Sequence, residues 1–184
     1  MEPLRQRIKE LAPSAFEDFC FHLLKARHPG ASIKHVHGVA GDEGIDIFMG
    51  DLDSNPVVWQ CKSFPDGVRD SQKQQIRDSL RVAVEKIRPS LWVLCISTDL
   101  DTKAYRWFQR LDKSFAGRAH LGLFQATDMV HELAHRESIR ELFFPGAILN
   151  VREIRSVLSK TAELSTDELD NLNEQKKCCR LQRN

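Results

Sequence analysis

The stretch Leu91-Trp92-Val93-Leu94-Cys95-Ile96 constrains the fold more than any other part of the chain. It is uncharged, bounded by Pro89 and by Ser97-Thr98, and far too short to cross a bilayer. A short, continuous apolar run with such boundaries reads as a buried strand. A strand that is apolar on both faces needs covering on both faces, which here means helices.

The neighbouring sequence supplies them. Residues 14–28 predict a helix whose Phe16, Phe19, Cys20, Leu23 and Leu24 share one face, with Pro29-Gly30 ending it. Ser14 suits an N-cap and Glu17 the third helical position, the two ends of a capping box. A second helix is expected over 68–87, with Val68, Ile76, Leu80, Ala83 and Ile87 on one stripe and Gln72 and Gln75 near it. Others are expected over 101–115, 127–135 and 137–144. Residues 33–39 alternate as a strand does, and 119–124 give another. The order helix, hairpin, helix, strand, helix, strand, helix predicts an α/β fold. Its mixed central sheet would be antiparallel at the hairpin and parallel where helices cross over.

The hairpin carries the chemistry. Gly41-Asp42-Glu43-Gly44-Ile45-Asp46-Ile47 and Val57-Val58-Trp59-Gln60-Cys61-Lys62 read as strands joined by the turn-rich residues 49–56. Alternation places Gln60 and Lys62 on one face and Cys61 on the other. Pairing would bring Asp46 to the same edge. A carboxylate, an amide oxygen and an ammonium could then hold a hard divalent cation and orient a water beside it. Each residue also has an ordinary reading. Asp46 fits an exposed edge strand, Lys62 can reach water from a strand end, and Gln60 can be a hydrogen-bonded strand residue. Gly41 and Gly44 would allow positive φ and a close backbone approach to a phosphate.

Gly-Asp-x-Gly-Ile-Asp followed by Gln-Cys-Lys, with Phe16-Glu17 on the upstream helix, resembles the Mrr-like branch of the PD-(D/E)xK restriction endonuclease superfamily. In that branch Gln replaces the second acid. The resemblance covers roughly residues 12–146 and is strongest between Gly41 and Lys62. It implies a restriction endonuclease-like fold and a Mg²⁺-dependent DNA endonuclease, with Mn²⁺ able to substitute, such as serves in restriction and anti-phage defence effectors. It assigns catalysis to Asp46, Gln60, Lys62 and Glu17, and the metal to Asp46, Glu17 and the Cys61 backbone carbonyl. Lys62 would orient the attacking water and stabilise phosphate charge. Glu17 thus has two competing expectations, metal ligand and cap, with Asp18 as the fallback acid.

Partners follow from the same resemblance. The expected substrate is double-stranded DNA, cut by a homodimer or higher oligomer because two strands need two sites. Target choice would lie in additional domains or defence-system subunits. A formal charge of +1 gives no global basic signature, so DNA contact would come from a local patch, with Lys34, His37, Arg69, Lys73 and Arg77 as candidates. Two other functions stay open: a nucleic-acid-binding module of this fold without catalysis, and a zinc peptidase. The second rests on His131-Glu132-Leu133-Ala134-His135, a literal His-Glu-x-x-His string.

The remaining signals are weaker. Asp42 and Glu43 read as solvated loop acids, with Asp42 a lesser candidate for a second metal. His35 and His37 read as a half-exposed strand pair near the DNA. Cys20, Cys61, Cys95, Cys178 and Cys179 make no Cys-x-x-Cys pair, so neither a disulfide framework nor a zinc knuckle is suggested. The first three read as reduced core residues. The N-terminus lacks an apolar signal core, and a cytoplasmic, non-membrane protein is expected. The nuclease domain is expected over 1–147. Residues 148–184, with helices over 151–160 and from Ser165, are expected to be a tail or linker to a domain not present.

Overall fold

The computed structural model describes residues 3–36, 44–147 and 149. One compact unit spans Met1–Ile148, and Leu149–Asn184 forms a second. The expected tail helices, together with His37, Gly41, Asp42 and Glu43, lie outside the described residues.

The elements run α1 (Leu4–Lys9), α2 (Pro13–Arg27), β1 (Ile33–His35), β2 (Ile47–Met49), β3 (Val57–Lys62), α3 (Asp70–Lys86), β4 (Leu91–Ile96), α4 (Thr102–Ser114), β5 (His120–Gln125), α5 (Ala126–Ala134) and α6 (Glu137–Phe143). The five strands form one sheet in sequential order, β1 to β5. The first three are antiparallel neighbours, whereas β3, β4 and β5 run parallel. This is the mixed α/β sheet that the apolar run and the helix order require.

Two crossovers join the parallel strands, and right-handed connections place both helices on one side. Ile76, Leu80, Ala83 and Val84 of α3 and Phe108 and Leu111 of α4 pack there against Val58, Trp92, Leu94 and Ile96. Helices α1, α2, α5 and α6 contact one another, and α2 and α5 reach the sheet. Their layer holds Leu4, Ile8, Phe16, Phe19, Leu23 and Leu24, all essentially without exposure. The strand β4, between β3 and β5, is therefore covered on both faces.

Several local expectations need correcting. Helix α2 starts at Pro13, with Ala12 as its N-cap and no side-chain cap. Proline at the first helical position lacks only an N–H that would be unsatisfied anyway and has φ preset for the helix. Ser14 is thus already helical, and the Ser14–Glu17 capping box does not form. The first arm of the hairpin is shorter than expected: β2 begins at Ile47, Asp46 precedes it, and Met49 is strand rather than turn. Helix α1 had no counterpart in the sequence reading. Its two buried residues, Leu4 and Ile8, lie one turn apart, a signal too sparse to separate from chance.

Candidate metal and nucleic-acid site

Asp46 is held in place by its backbone. Its N–H donates to Trp59 O at 2.9 Å, and its carbonyl accepts from Val36 N–H at 2.8 Å. Both bonds continue the sheet one residue past β2. Ile45, just before it, is buried in the α3–α4 core. Gly44 takes φ +75°, and its carbonyl accepts the Trp92 indole N–H at 3.1 Å. A Cβ at Gly44 would lie 2.0 Å from the Ser79 backbone oxygen on α3. The close approach that needs this glycine is to α3, not to a phosphate. Trp92 and α3 together set the height at which Asp46 leaves the loop.

The Asp46 side chain turns toward β3. Its Oδ2 accepts Gln60 Nε2–H at 2.5 Å and Cys61 N–H at 2.6 Å. The pair is well shielded, with Asp46 7% and Gln60 1% exposed. Gln60 Oε1 is buried and has no hydrogen-bond partner among the described residues. An unsatisfied buried acceptor costs about 1–3 kcal/mol. Next to a buried carboxylate, such an oxygen is the kind of group a cation satisfies. In an extended strand the N–H and C=O of one residue point to the same neighbour. The Cys61 carbonyl therefore opens on the edge where its N–H meets Asp46.

Lys62 ends β3 and is half-buried. Its carbonyl accepts Ser97 N–H at 3.3 Å, and Ser97 Oγ accepts Phe64 N–H at 3.0 Å. Ser63 Oγ in turn donates to Leu11 O at 3.2 Å. These bonds clamp the backbone on both sides of Lys62, while its ammonium makes no ion pair among the described residues. Val58 faces the α3–α4 core, so alternation places Gln60 and Lys62 on that side as well. The site lies at the carboxyl ends of parallel strands, where open α/β sheets bind ligands.

Glu17 is positioned differently. Its Oε1 is 2.5 Å from His35 Nε2, and Asp18 Oδ1 stands 3.8 Å from His35 Nδ1. The His35 ring stacks on Phe21 of α2, with centroids 5.0 Å apart and planes at 20°. His35 is an enclosed partner of α2, with its side chain 8% exposed, rather than half of a solvent-facing pair. Glu17 consequently belongs to the α2 side of the sheet, whereas Gln60 and Lys62 face α3.

The candidate cations are spread along the α3 side. Lys34 Nζ sits over the Phe48 ring, 5.5 Å from its centroid. Arg69 directly precedes α3, and its N–H donates to Gln72 Oε1 at 3.2 Å. Arg77 donates to Gln74 Oε1 at 2.9 Å. Lys73 bonds Asp70 Oδ1 at 2.8 Å, a contact that holds the Asp70 carboxyl below its ordinary range. Lys73 is therefore partly neutralised within its own helix.

The His-Glu-x-x-His string lacks the setting a zinc peptidase needs. Glu132 forms ion pairs with Arg136 and, at 3.6 Å, with Arg27. These two ion pairs engage the carboxylate that a zinc peptidase would need free as its base. His135 is the C-cap of α5, and no third ligating side chain joins the two histidines among the described residues. A cavity of about 720 Å³, lined in part by Arg88, Arg118 and His120, opens at the opposite end of the parallel strands and contains none of the candidate residues.

No family model, no curated protein and no solved structure matches the chain. Among the described residues, no helix is long and apolar enough to cross a membrane.

Proposed function

We propose that the protein is a Mg²⁺-dependent DNA endonuclease of the Mrr-like, Gln-x-Lys kind. The observation that carries this reading is the buried, partnerless Gln60 Oε1 beside the Asp46 carboxylate, at the strand end that also bears Lys62. Asp46, Gln60 and the Cys61 carbonyl are the residues that would hold the ion, all with oxygen donors suited to a hard dication. Bound there, Mg²⁺ would polarise the scissile phosphate and lower the pKa of a water.

The chain's own residues do the rest. Gln60 and Cys61 N–H orient the Asp46 carboxylate, so that the ligand is set before the ion arrives. Lys62, on a clamped backbone and without a competing carboxylate, orients the attacking water and offsets charge building on the phosphate oxygens. Glu17, paired with His35, fixes α2 against β1, and any ligation by it would require breaking that pair. Lys34, Arg69 and Arg77 supply phosphate contacts that add affinity without reading sequence. The oligomer, the added domains and the place in a defence system belong to the same proposal.

Two parallel assays test it. Supercoiled plasmid is incubated with the protein and Mg²⁺ or Mn²⁺, beside Asp46→Asn and Lys62→Ala. Mn²⁺ binding to the same proteins is followed by electron paramagnetic resonance. Nicking that both substitutions remove, with Mn²⁺ binding lost in Asp46→Asn, is the expected result. Mn²⁺ binding and retention of DNA without nicking would favour a non-cutting DNA-binding module. Absence of Mn²⁺ binding would end the nuclease reading.

A further inference from the structure

Cys20 on α2, Cys61 on β3 and Cys95 on β4 come from distant parts of the chain, yet their sulfurs all lie within 4.8 Å of one another. Cys61 and Cys95 are register partners on parallel strands, so their side chains leave the sheet side by side. Cys20 meets them from the helix above. Cys61 as a residue is half-buried, but its thiol is enclosed with the other two. We propose that Cys20, Cys61 and Cys95 form a buried three-thiolate site for a thiophilic d¹⁰ cation, Zn²⁺ or Cu⁺.

The donor set selects the ion. Three sulfurs with no oxygen or nitrogen ligand among them favour soft or borderline metals over Mg²⁺ or Ca²⁺. Metal–sulfur bonds of about 2.3 Å separate the sulfurs of a trigonal site by roughly 4 Å, so a slight contraction suffices. The cluster is also electrically prepared. Burial pushes the Cys95 thiol up, but hydrogen bonds from Cys20 and Cys61 and the Arg27 charge outweigh it and bring the value down to about 5. Burial raises Cys20 and Cys61 well above the usual thiol range. Three thiolates around a dication carry one net negative charge, and Arg27 is the cation that acts on Cys95 of this cluster.

The consequence reaches the neighbouring site without depending on the nuclease reading. A metal held by these three residues would tie α2 to β3 and β4 directly behind Cys61, whose N–H holds Asp46. The ion is structural in this scheme: it braces the strand from which the oxygen site is built.

The test uses the full chain carrying Cys178→Ser and Cys179→Ser, which removes the other two cysteines. The reduced protein is stripped with a chelator and titrated anaerobically with Zn²⁺ in one arm and Cu⁺ in the other. Metal per chain, melting temperature and X-ray absorption at the metal edge are recorded. The expected result is one ion per chain with three sulfur neighbours and a higher melting temperature, because the ion binds only the folded state. Cys20→Ser and Cys95→Ser should each lose more affinity than the ~10–100-fold that follows removal of an outer-shell partner. Failure of both ions to bind, or affinity unchanged in both variants, overturns the proposal. Should a variant not fold, nitrogen or oxygen neighbours in the absorption spectrum of the folded parent overturn it equally.

Discussion

Gln60 and Cys61 are adjacent in sequence and lie in opposite chemical worlds. On the α3 side of β3, Gln60 offers a buried amide oxygen beside a carboxylate. On the α2 side, Cys61 joins two other thiols. The first set suits a hard cation and the second a soft one, separated by the thickness of a single strand. A strand with period two can serve two unrelated sites, because neighbouring side chains never share a layer. Asp46 links them: its carboxylate accepts from the Gln60 side chain and the Cys61 backbone.

Removing the hard side alone should have the largest effect. Lys62→Ala and Asp46→Asn should each lower metal-dependent plasmid nicking by about 10²–10³, the scale for loss of one preorganised electrostatic group. In the same Asp46→Asn protein, the thiol cluster should still take one soft ion per chain. Loss of both properties would mean the two sites are one unit.

Gly44→Ala attacks the platform under the oxygen side. The new Cβ overlaps the Ser79 backbone oxygen, and an L-residue is strained at φ +75°. A loss of about 2–4 kcal/mol in urea unfolding is expected, since backbone on both sides must shift.

Gln60→Glu sharpens the contrast. It sets a second carboxylate against Asp46, where two like charges in close contact disfavour ionising both. Without metal the melting temperature should fall, and added Mg²⁺ or Mn²⁺ should restore it. A melting temperature insensitive to metal would place the cation elsewhere.

The thiol side has its own pH signature. In the folded chain Cys95 ionises near pH 5, well below the 9.0 of an ordinary thiol. Its contribution to stability is therefore complete above about pH 9 and is lost as pH falls through 5. Cys20 and Cys61 are shifted upward, so their contribution holds at lower pH and is lost above the ordinary thiol range. Between pH 5 and 9, stability should rise with pH in the parent and rise less in Cys95→Ser, as read from urea midpoints. Thiolate absorbance should show one of the three groups ionising at the acid end. The smallest effect is expected from His131→Ala, which should leave nicking unchanged.

Much of the architecture was legible because it depends on local pattern. The uncharged run at Leu91–Ile96 required two covering layers, and the stripe Ile76, Leu80 and Ala83 identified the α3 face that covers one of them. Asp46, Gln60 and Lys62 stood out as polar groups in otherwise apolar surroundings, and the structure brings Asp46 and Gln60 into contact. Glu17 was less legible. Its position suggested a cap or a metal ligand, but an imidazole from another element engages it, and local spacing carries no information about that partner. Cys20, Cys61 and Cys95 were read singly as small apolar core residues, because none is near another in sequence.

Local pattern was enough for the elements after α1, their order and the two faces of β3, since periodicity and charge are properties of neighbours along the chain. Packing between distant segments settled that Trp92 and α3 fix the loop before Asp46, that His35 holds Glu17, and that three separate thiols converge. Those outcomes depend on which segments pack together, and burial makes each such contact matter by removing the water that would otherwise satisfy the groups involved.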